Sequence, residues 1–214
     1  MSRRLVKVCG CNSADAVDAA IAAGADYVGL VFFANSSRNV DIGQAAALAD
    51  RARSRLKVVG LFVDPDNAMI DAVRRSVHLD VIQLHGSEHP ALVSQIRMRN
   101  GLEVWKAIGV RRPEDVAGGR KFRGAADRIL YDAKPPEGST VPGGTGLRID
   151  WALLKGVDHA QPWGLAGGLT PANVAEAIRT TRAPLVDASS SLESAPGLKD
   201  SAKIRAFVHA ARAE

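Results

Sequence analysis

LVKVCGCNSADAVDAAIAAGADYVGLVF, residues 5–32, holds one strand–helix–strand passage. The run LVKVC (5–9) is short, apolar and β-rich. Ser13 then offers a helix cap, ADAVDAAIAA carries the helix to Gly24, and DYVGLVF (26–32) follows as a second strand. One helix between two strands makes those strands parallel. The same alternation continues to the end of the chain. Strand runs KVVGLFV (57–63), DVIQLH (80–85), EVWKAI (103–108), DRILYDA (127–133), PWGLAG (162–167) and APLVDAS (183–189) each precede a helical pattern. Those patterns are DPDNAMIDAVRRS, HPALVSQIRMR, RPEDVAG, DWALLKG, TPANVAEAIRT and KDSAKIRAFVHAAR; a helix from about Asp41 follows the second strand. The strands are rich in Val, Ile and Leu, as expected when both faces are buried. About eight such units closing on themselves make a single-domain (β/α)8 TIM barrel spanning 1–214. An open doubly wound sheet is the competing arrangement.

Composition sets the class. The chain has 214 residues, 46% hydrophobic and 24% charged, with a formal net charge of +5. The positive excess is spread along the chain rather than gathered in a tail. It suits mild steering of anionic ligands, not a nucleic-acid footprint, and 5% aromatic content argues against base-stacking platforms. No segment approaches a membrane span. The apolar run after MSRR is too short for a signal peptide. Cys9 and Cys11 lie one residue apart, which suits neither a disulfide framework nor a four-ligand zinc site. Reduced thiols and a cytoplasmic setting are the expectation.

In a barrel of this kind chemistry sits where strands end and the following loops begin. Polar and glycine-rich residues collect there: Cys9-Gly10, Ser36 to Arg38, Gln83 to Gly86, Asp132, Gly143 to Gly146, Gly167-Gly168 and Asp187 to Ser191. The loops after strands seven and eight read LAGGLTPANV and VDASSSLES. Gly167 and Gly168 let backbone N–H groups approach an anion with no Cβ in the way, and Ser189, Ser190 and Ser191 add donors. Together they predict a phosphate site. Thr170-Pro171 predicts a helix cap followed by proline at the first helical position.

The motifs KVCG, SSR, QLHG, the aspartate of LYDA, GGTG, LAGGLTPANV and VDASSSLE follow in an order and spacing that resembles the phosphoribosylanthranilate isomerase family of tryptophan biosynthesis. The likeness runs from Val6 to about Phe207. It implies an Amadori rearrangement of a phosphoribosyl aminobenzoate with no metal, nucleotide or redox cofactor. It also implies roles: Cys9 as general base and Asp132 as general acid, Arg38 on the aminobenzoate carboxylate and Asp187 on a ribose hydroxyl. His85 borders the aromatic ring or serves as a structural hydrogen-bonding residue. Opposed tuning follows, with Asp132 holding a proton near neutral pH and Cys9 partly thiolate, below about 8.5. Lys7, two residues before Cys9, shares its side of the strand and could favour the thiolate. GSTVPGGTGLRIDW is long enough to close over substrate. His78, His159 and His209 are assigned to surface or helix roles.

Three departures from the family pattern stand out. Ser37 replaces the proline usual before the arginine and Asn39 follows it, which predicts a less pre-organised Arg38. Ser191 stands where glycine is usual: either serine is strained there by about 1 kcal/mol or more, if the position needs positive φ, or the phosphate loop has another shape. Cys11 replaces an aliphatic residue and is expected to pack outward against a helix. The rivals are another sugar-phosphate barrel enzyme, and a barrel that binds a phosphorylated ligand without turning it over. Oligomeric state, monomer or homodimer, is open.

Overall fold

The computed structural model describes residues 3–134 and 147–214. Eight parallel strands close in sequence order: β1 (Leu5–Cys9), β2 (Tyr27–Phe32), β3 (Lys57–Phe62), β4 (Val81–Leu84), β5 (Glu103–Val110), β6 (Arg128–Ala133), β7 (Trp163–Leu165) and β8 (Leu185–Ala188). β1 closes the ring against β8, with Val6 opposite Val186. Around them lie α1 (Ala14–Ala23), α2 (Ile42–Ala52), α3 (Asn67–Ser76), α4 (Pro90–Asn100), α5 (Pro113–Gly118), α6 (Val174–Thr181) and α7 (Ser201–Arg212).

Local chemistry sets the helix starts. Ser13, Asp41, Asp66 and Asp200 each accept a hydrogen bond from a backbone N–H of the first turn. α1 stops at Gly24, whose φ of +76° closes the end in the left-handed conformation. Thr170 does cap, but one turn early: its hydroxyl accepts from Asn173 N–H while the Asn173 side chain accepts from Thr170 N–H, and α6 proper begins at Val174. The pattern DWALLKG forms a single 3-10 turn, Trp151–Leu154, rather than an α-helix. Asp150 caps it and Gly156, at φ +69°, follows at once.

Side chains alternate through the wall. Val6, Val8, Val28 and Leu30 pack outward with the helices, and Cys11 joins them, fully buried. Tyr27, Val59, Val81, Trp105, Leu130 and Leu185 fill the barrel, with the Tyr27 and Trp105 rings edge to face at 5.0 Å. Cys9, Val31 and Leu61 form a separate cluster at the carboxyl ends of their strands. After β8 the chain makes a 3-10 turn (Ser190–Leu192) and then a two-stranded hairpin, β9 (Glu193–Ala195) and β10 (Leu198–Lys199), which the strand–helix alternation did not predict. Among the described residues no helix is long and apolar enough to cross a membrane.

Candidate active site

A cavity of about 720 Å³ opens at the carboxyl ends of the strands. Cys9, Arg38, His85, Asp132, Asp187, Gly167, Gly168 and Ser189 to Ser191 all line it, so every site residue expected from the sequence is brought to one place. The GGTG motif, and the proposed closing segment up to Gly146, lie outside the described residues; Leu147 lines the cavity.

Cys9 ends β1 and is 5% exposed. Gly29 on β2 makes room for it: a Cβ there would sit 2.8 Å from the Cys9 Sγ. Gly10, at φ +72°, turns the chain where a Cβ would lie 2.5 Å from Arg38 Cδ. Lys7, fully buried on the same side of β1, donates from Nζ to Asp187 Oδ2 at 2.8 Å. Burial opposes the Lys7 charge, but Asp187 and Cys9 outweigh it and raise the ammonium above its ordinary range. The Asp187 carboxyl is pushed up by burial, an effect that Lys7 resists and Asp132 reinforces. Its Oδ1 is buried without a partner among the described residues, and Asp187 lines the cavity.

The expected thiolate is not what this arrangement favours. Burial raises the Cys9 thiol; Lys7 pulls it down as foreseen, but less strongly, and Asp187 adds to the rise. The thiol is therefore the resting form at neutral pH.

Asp132 is held from two sides. Its Oδ1 accepts from Ala133 N–H at 2.7 Å, and His85 Nε2 lies 3.3 Å from Oδ2. The other ring nitrogen of His85 meets Gln83 Nε2 at 3.4 Å. His85 thus bridges Gln83 to Asp132. Gly167 crowds the same carboxyl, since a Cβ there would lie 3.0 Å from Asp132 Oδ1. Gly167 and Gly168 have φ of +78° and +66°.

Arg38 is well ordered by its surroundings, against the expectation from the missing proline. Ser36 Oγ accepts from Arg38 N–H, and Asn39 Oδ1 accepts from Phe33 N–H, so side chains pin the loop. The guanidinium forks onto Glu193, Nε to Oε1 at 2.6 Å and Nη2 to Oε2 at 2.9 Å. The strain expected at Ser191 is also absent, because the residue sits in a 3-10 turn and is not among the positive-φ residues. Its hydroxyl instead donates to Leu169 O, tying the two candidate phosphate loops together. Of the other histidines, His78 is exposed and His209 lies exposed on α7, as assigned. His159 is not a surface or helix residue: it is half-buried in the loop before β7, stacked on Trp163 at 4.0 Å, and burial lowers its pKa to about 4.

Sequence reasoning missed Glu193 and Lys199, and placed Gln83 at a strand end without giving it a role. Glu193 ends the motif VDASSSLE but carried no role there, because its partner lies 155 residues away. The ion pair of Lys7 with Asp187 joins the two strands that close the barrel, which only the closure itself brings together.

A closed (β/α)8 barrel with a thiol, carboxylates and a guanidinium gathered round one cavity at its carboxyl-terminal face is the architecture of a TIM-barrel enzyme. Residues 6–210 match the family model for N-(5'-phosphoribosyl)anthranilate (PRA) isomerase. The chain is 53% identical to the N-(5'-phosphoribosyl)anthranilate isomerase of Paramagnetospirillum magneticum, covering 97% of this chain and 96% of the relative. It is equally similar, 53% with 97% of both chains covered, to that of Paracoccus denitrificans. A crystal structure of the Thermotoga maritima phosphoribosyl anthranilate isomerase superimposes with a TM-score of 0.88 at 32% identity, covering 99% of this chain and 100% of the other. Another isomerase structure, in complex with reduced 1-(o-carboxyphenylamino)-1-deoxyribulose 5-phosphate, gives 0.86 at 31% identity over 99% of this chain and 100% of that one. This chain belongs to the N-(5'-phosphoribosyl)anthranilate isomerase family.

Proposed function

We propose that Cys9 and Asp132 are the base and acid through which this chain, an isomerase of its family, performs the Amadori rearrangement of tryptophan biosynthesis. N-(5-phosphoribosyl)anthranilate becomes 1-(2-carboxyphenylamino)-1-deoxyribulose 5-phosphate. One observation carries the assignment: Cys9 and Asp132, from β1 and β6, line the same cavity, whose rim bears Arg38 on one loop and Gly167-Gly168 and Ser189 to Ser191 on two others. A ligand with a phosphate at one end and a carboxylate at the other spans those loops, and its sugar then lies between thiol and carboxyl.

Asp132 protonates the furanose oxygen, and the C1–O bond breaks to give the open-chain Schiff base. The Cys9 thiolate takes the proton from C2, giving an enolamine. Tautomerisation moves a proton to C1 and removes one from the enol oxygen, so no group is lost overall. Since the thiol is raised by burial, the thiolate is a minority form at neutral pH, but a strong proton acceptor once formed. Asp187 Oδ1 offers an acceptor to a ribose hydroxyl. His85 holds Asp132 and, lining the cavity, also borders the space for the aromatic ring. Gly167, Gly168, Ser189, Ser190 and Ser191 hold the phosphate, and Arg38 the ring carboxylate.

We further infer that residues 1–214 form one domain acting in the cytoplasm on a small phosphorylated substrate, with no cofactor and no nucleic-acid or membrane partner. A Thermotoga maritima relative is described as dimeric and has been studied as monomers, and the site here is built within one chain. Steady-state assay of Cys9→Ser and Asp132→Asn is the test: each is expected to lose about a thousandfold or more in turnover. Unchanged turnover in either variant rejects that residue's role.

A further inference from the structure

We propose that Glu193 is a positioning residue for substrate selection: it holds Arg38 by one edge so that the opposite edge faces the cavity and reads the ring carboxylate. The proposal rests on the assignment of Arg38 above. A guanidinium has two edges able to grip a carboxylate, the Nε/Nη2 side and the Nη1/Nη2 end. Glu193 occupies the first, with bonds of 2.6 and 2.9 Å. Among the described residues nothing hydrogen-bonds Nη1, and Arg38 lines the cavity.

Glu193 is itself fixed at every oxygen. Oε1 also accepts from Lys199 Nζ at 2.6 Å, and Oε2 from Gly197 N–H at 3.2 Å. Its side chain is 4% exposed, and that of Lys199 is 1% exposed. Burial alone would raise the Glu193 carboxyl; the hydrogen bonds from Arg38 and Lys199 hold it below the usual carboxylate range. Two cations share this one carboxylate, so a unit of positive charge is left over for a ligand. Lys199 does not compete for that ligand, since its ammonium is spent on Glu193 and on Ser189 O and Oγ. The hairpin β9–β10 thus exists at the rim as a mount for Arg38. Its turn residue Gly197 presses on the Arg38 loop, where a Cβ would sit 2.5 Å from Ser37 O.

The test uses two inhibitors of the full-length protein: the reduced product analogue 1-(2-carboxyphenylamino)-1-deoxyribitol 5-phosphate and the same compound lacking the ring carboxyl. Their affinity ratio measures carboxylate recognition alone. In Glu193→Gln we expect that ratio to fall about tenfold, KM to rise by a similar factor and kcat to stay within about twofold. Arg38→Met is expected to abolish the preference. If Arg38→Met loses the preference while Glu193→Gln keeps it, the positioning proposal is wrong. If Arg38→Met keeps the preference, the assignment of Arg38 is wrong and the proposal falls with it. A loss affecting both inhibitors equally marks Glu193 as merely structural and also overturns the proposal. Glu193→Asp keeps the charge but shortens the arm, so it serves where Glu193→Gln does not fold: an intermediate loss of preference is expected, and full retention refutes the idea.

Discussion

Replacing Lys7 with methionine removes a buried ammonium while keeping most of its stem. The partner is Asp187 at 2.8 Å, and the two side chains are 0% and 7% exposed. At that separation, with an effective dielectric of about 20, the gross attraction is about 6 kcal/mol. Without it, Asp187 is left under burial and the repulsion of Asp132, both of which already push its carboxyl upward. The cheaper escape is to take a proton. Holding a carboxyl of ordinary pKa about 3.9 protonated at pH 7 costs about 4 kcal/mol, within the roughly 3–5 kcal/mol found on breaking buried pairs. The sign follows from proton counts. Folded Lys7→Met binds a proton at Asp187 that its unfolded chain does not bind above about pH 4. Its stability therefore rises as pH falls, by about 1.4 kcal/mol per unit. Urea unfolding of wild type and Lys7→Met at pH 7 and pH 6 should give gaps of about 4 and about 3 kcal/mol. Adding Asp187→Asn should abolish the pH slope, because no carboxyl is left to titrate. A gap under about 1 kcal/mol at pH 7, or one that ignores pH in Lys7→Met, refutes this account of the pair.

Other outcomes follow from the same geometry. Alkylation of Cys9 by iodoacetamide, located by mass spectrometry, should show a midpoint above the ordinary thiol value of about 8.5, since burial raises the group; a midpoint below about 7.5 contradicts this. Gly29→Ala puts a methyl 2.8 Å from Cys9 Sγ and 3.2 Å from its Cα. It should cost about 1–3 kcal/mol in stability and at least about tenfold in turnover, read by thermal melting and steady-state assay. Gly167→Ala combines a φ of +78° with a contact of 2.5 Å to Ala133 N. A loss of at least about 1–2 kcal/mol is expected, together with a turnover defect from displacement of Asp132.

The barrel was legible because its evidence is local and repeated. Each strand is a short apolar run, four of the helices start at a Ser or Asp cap, and the count of about eight units matches the closed ring. The positions of Cys9, Arg38, Asp132 and Asp187 were legible for a related reason, since strand ends fall at a fixed phase of that repeat. What failed was anything decided by a balance of environments or by distant pairs. The Cys9 thiol was expected to fall because the base role implied by the resemblance needs a partial thiolate, with Lys7 able to favour it; depth of burial, which no spacing encodes, dominates instead. Arg38 was expected to be loose because a proline is absent, yet Glu193 supplies the order from the far end of the chain. Ser191 left two readings open, strain at a positive φ or a loop of another shape, and the turn it occupies, without positive φ, excludes the first. DWALLKG has helical spacing, but it forms one turn, leaves it in extended conformation at Lys155 and turns left-handed at Gly156.

These distant pairs join the working parts into one ring. Ser189 Oγ donates to Cys9 O at 3.1 Å, Lys199 holds both Ser189 and Glu193, Glu193 holds Arg38, and Arg38 packs on Gly10 beside Cys9. Cys9, Arg38 and the loop after β8, the proposed base, carboxylate-reading arm and phosphate site, are therefore coupled through side chains and not only through the barrel wall. A displacement of about 1 Å at a reacting centre can cost about a hundredfold in rate. A substrate gripped at both ends gains little unless the grips keep their distance from the base. The ring fixes that distance, and side chains hold the Arg38 loop with no proline before the arginine.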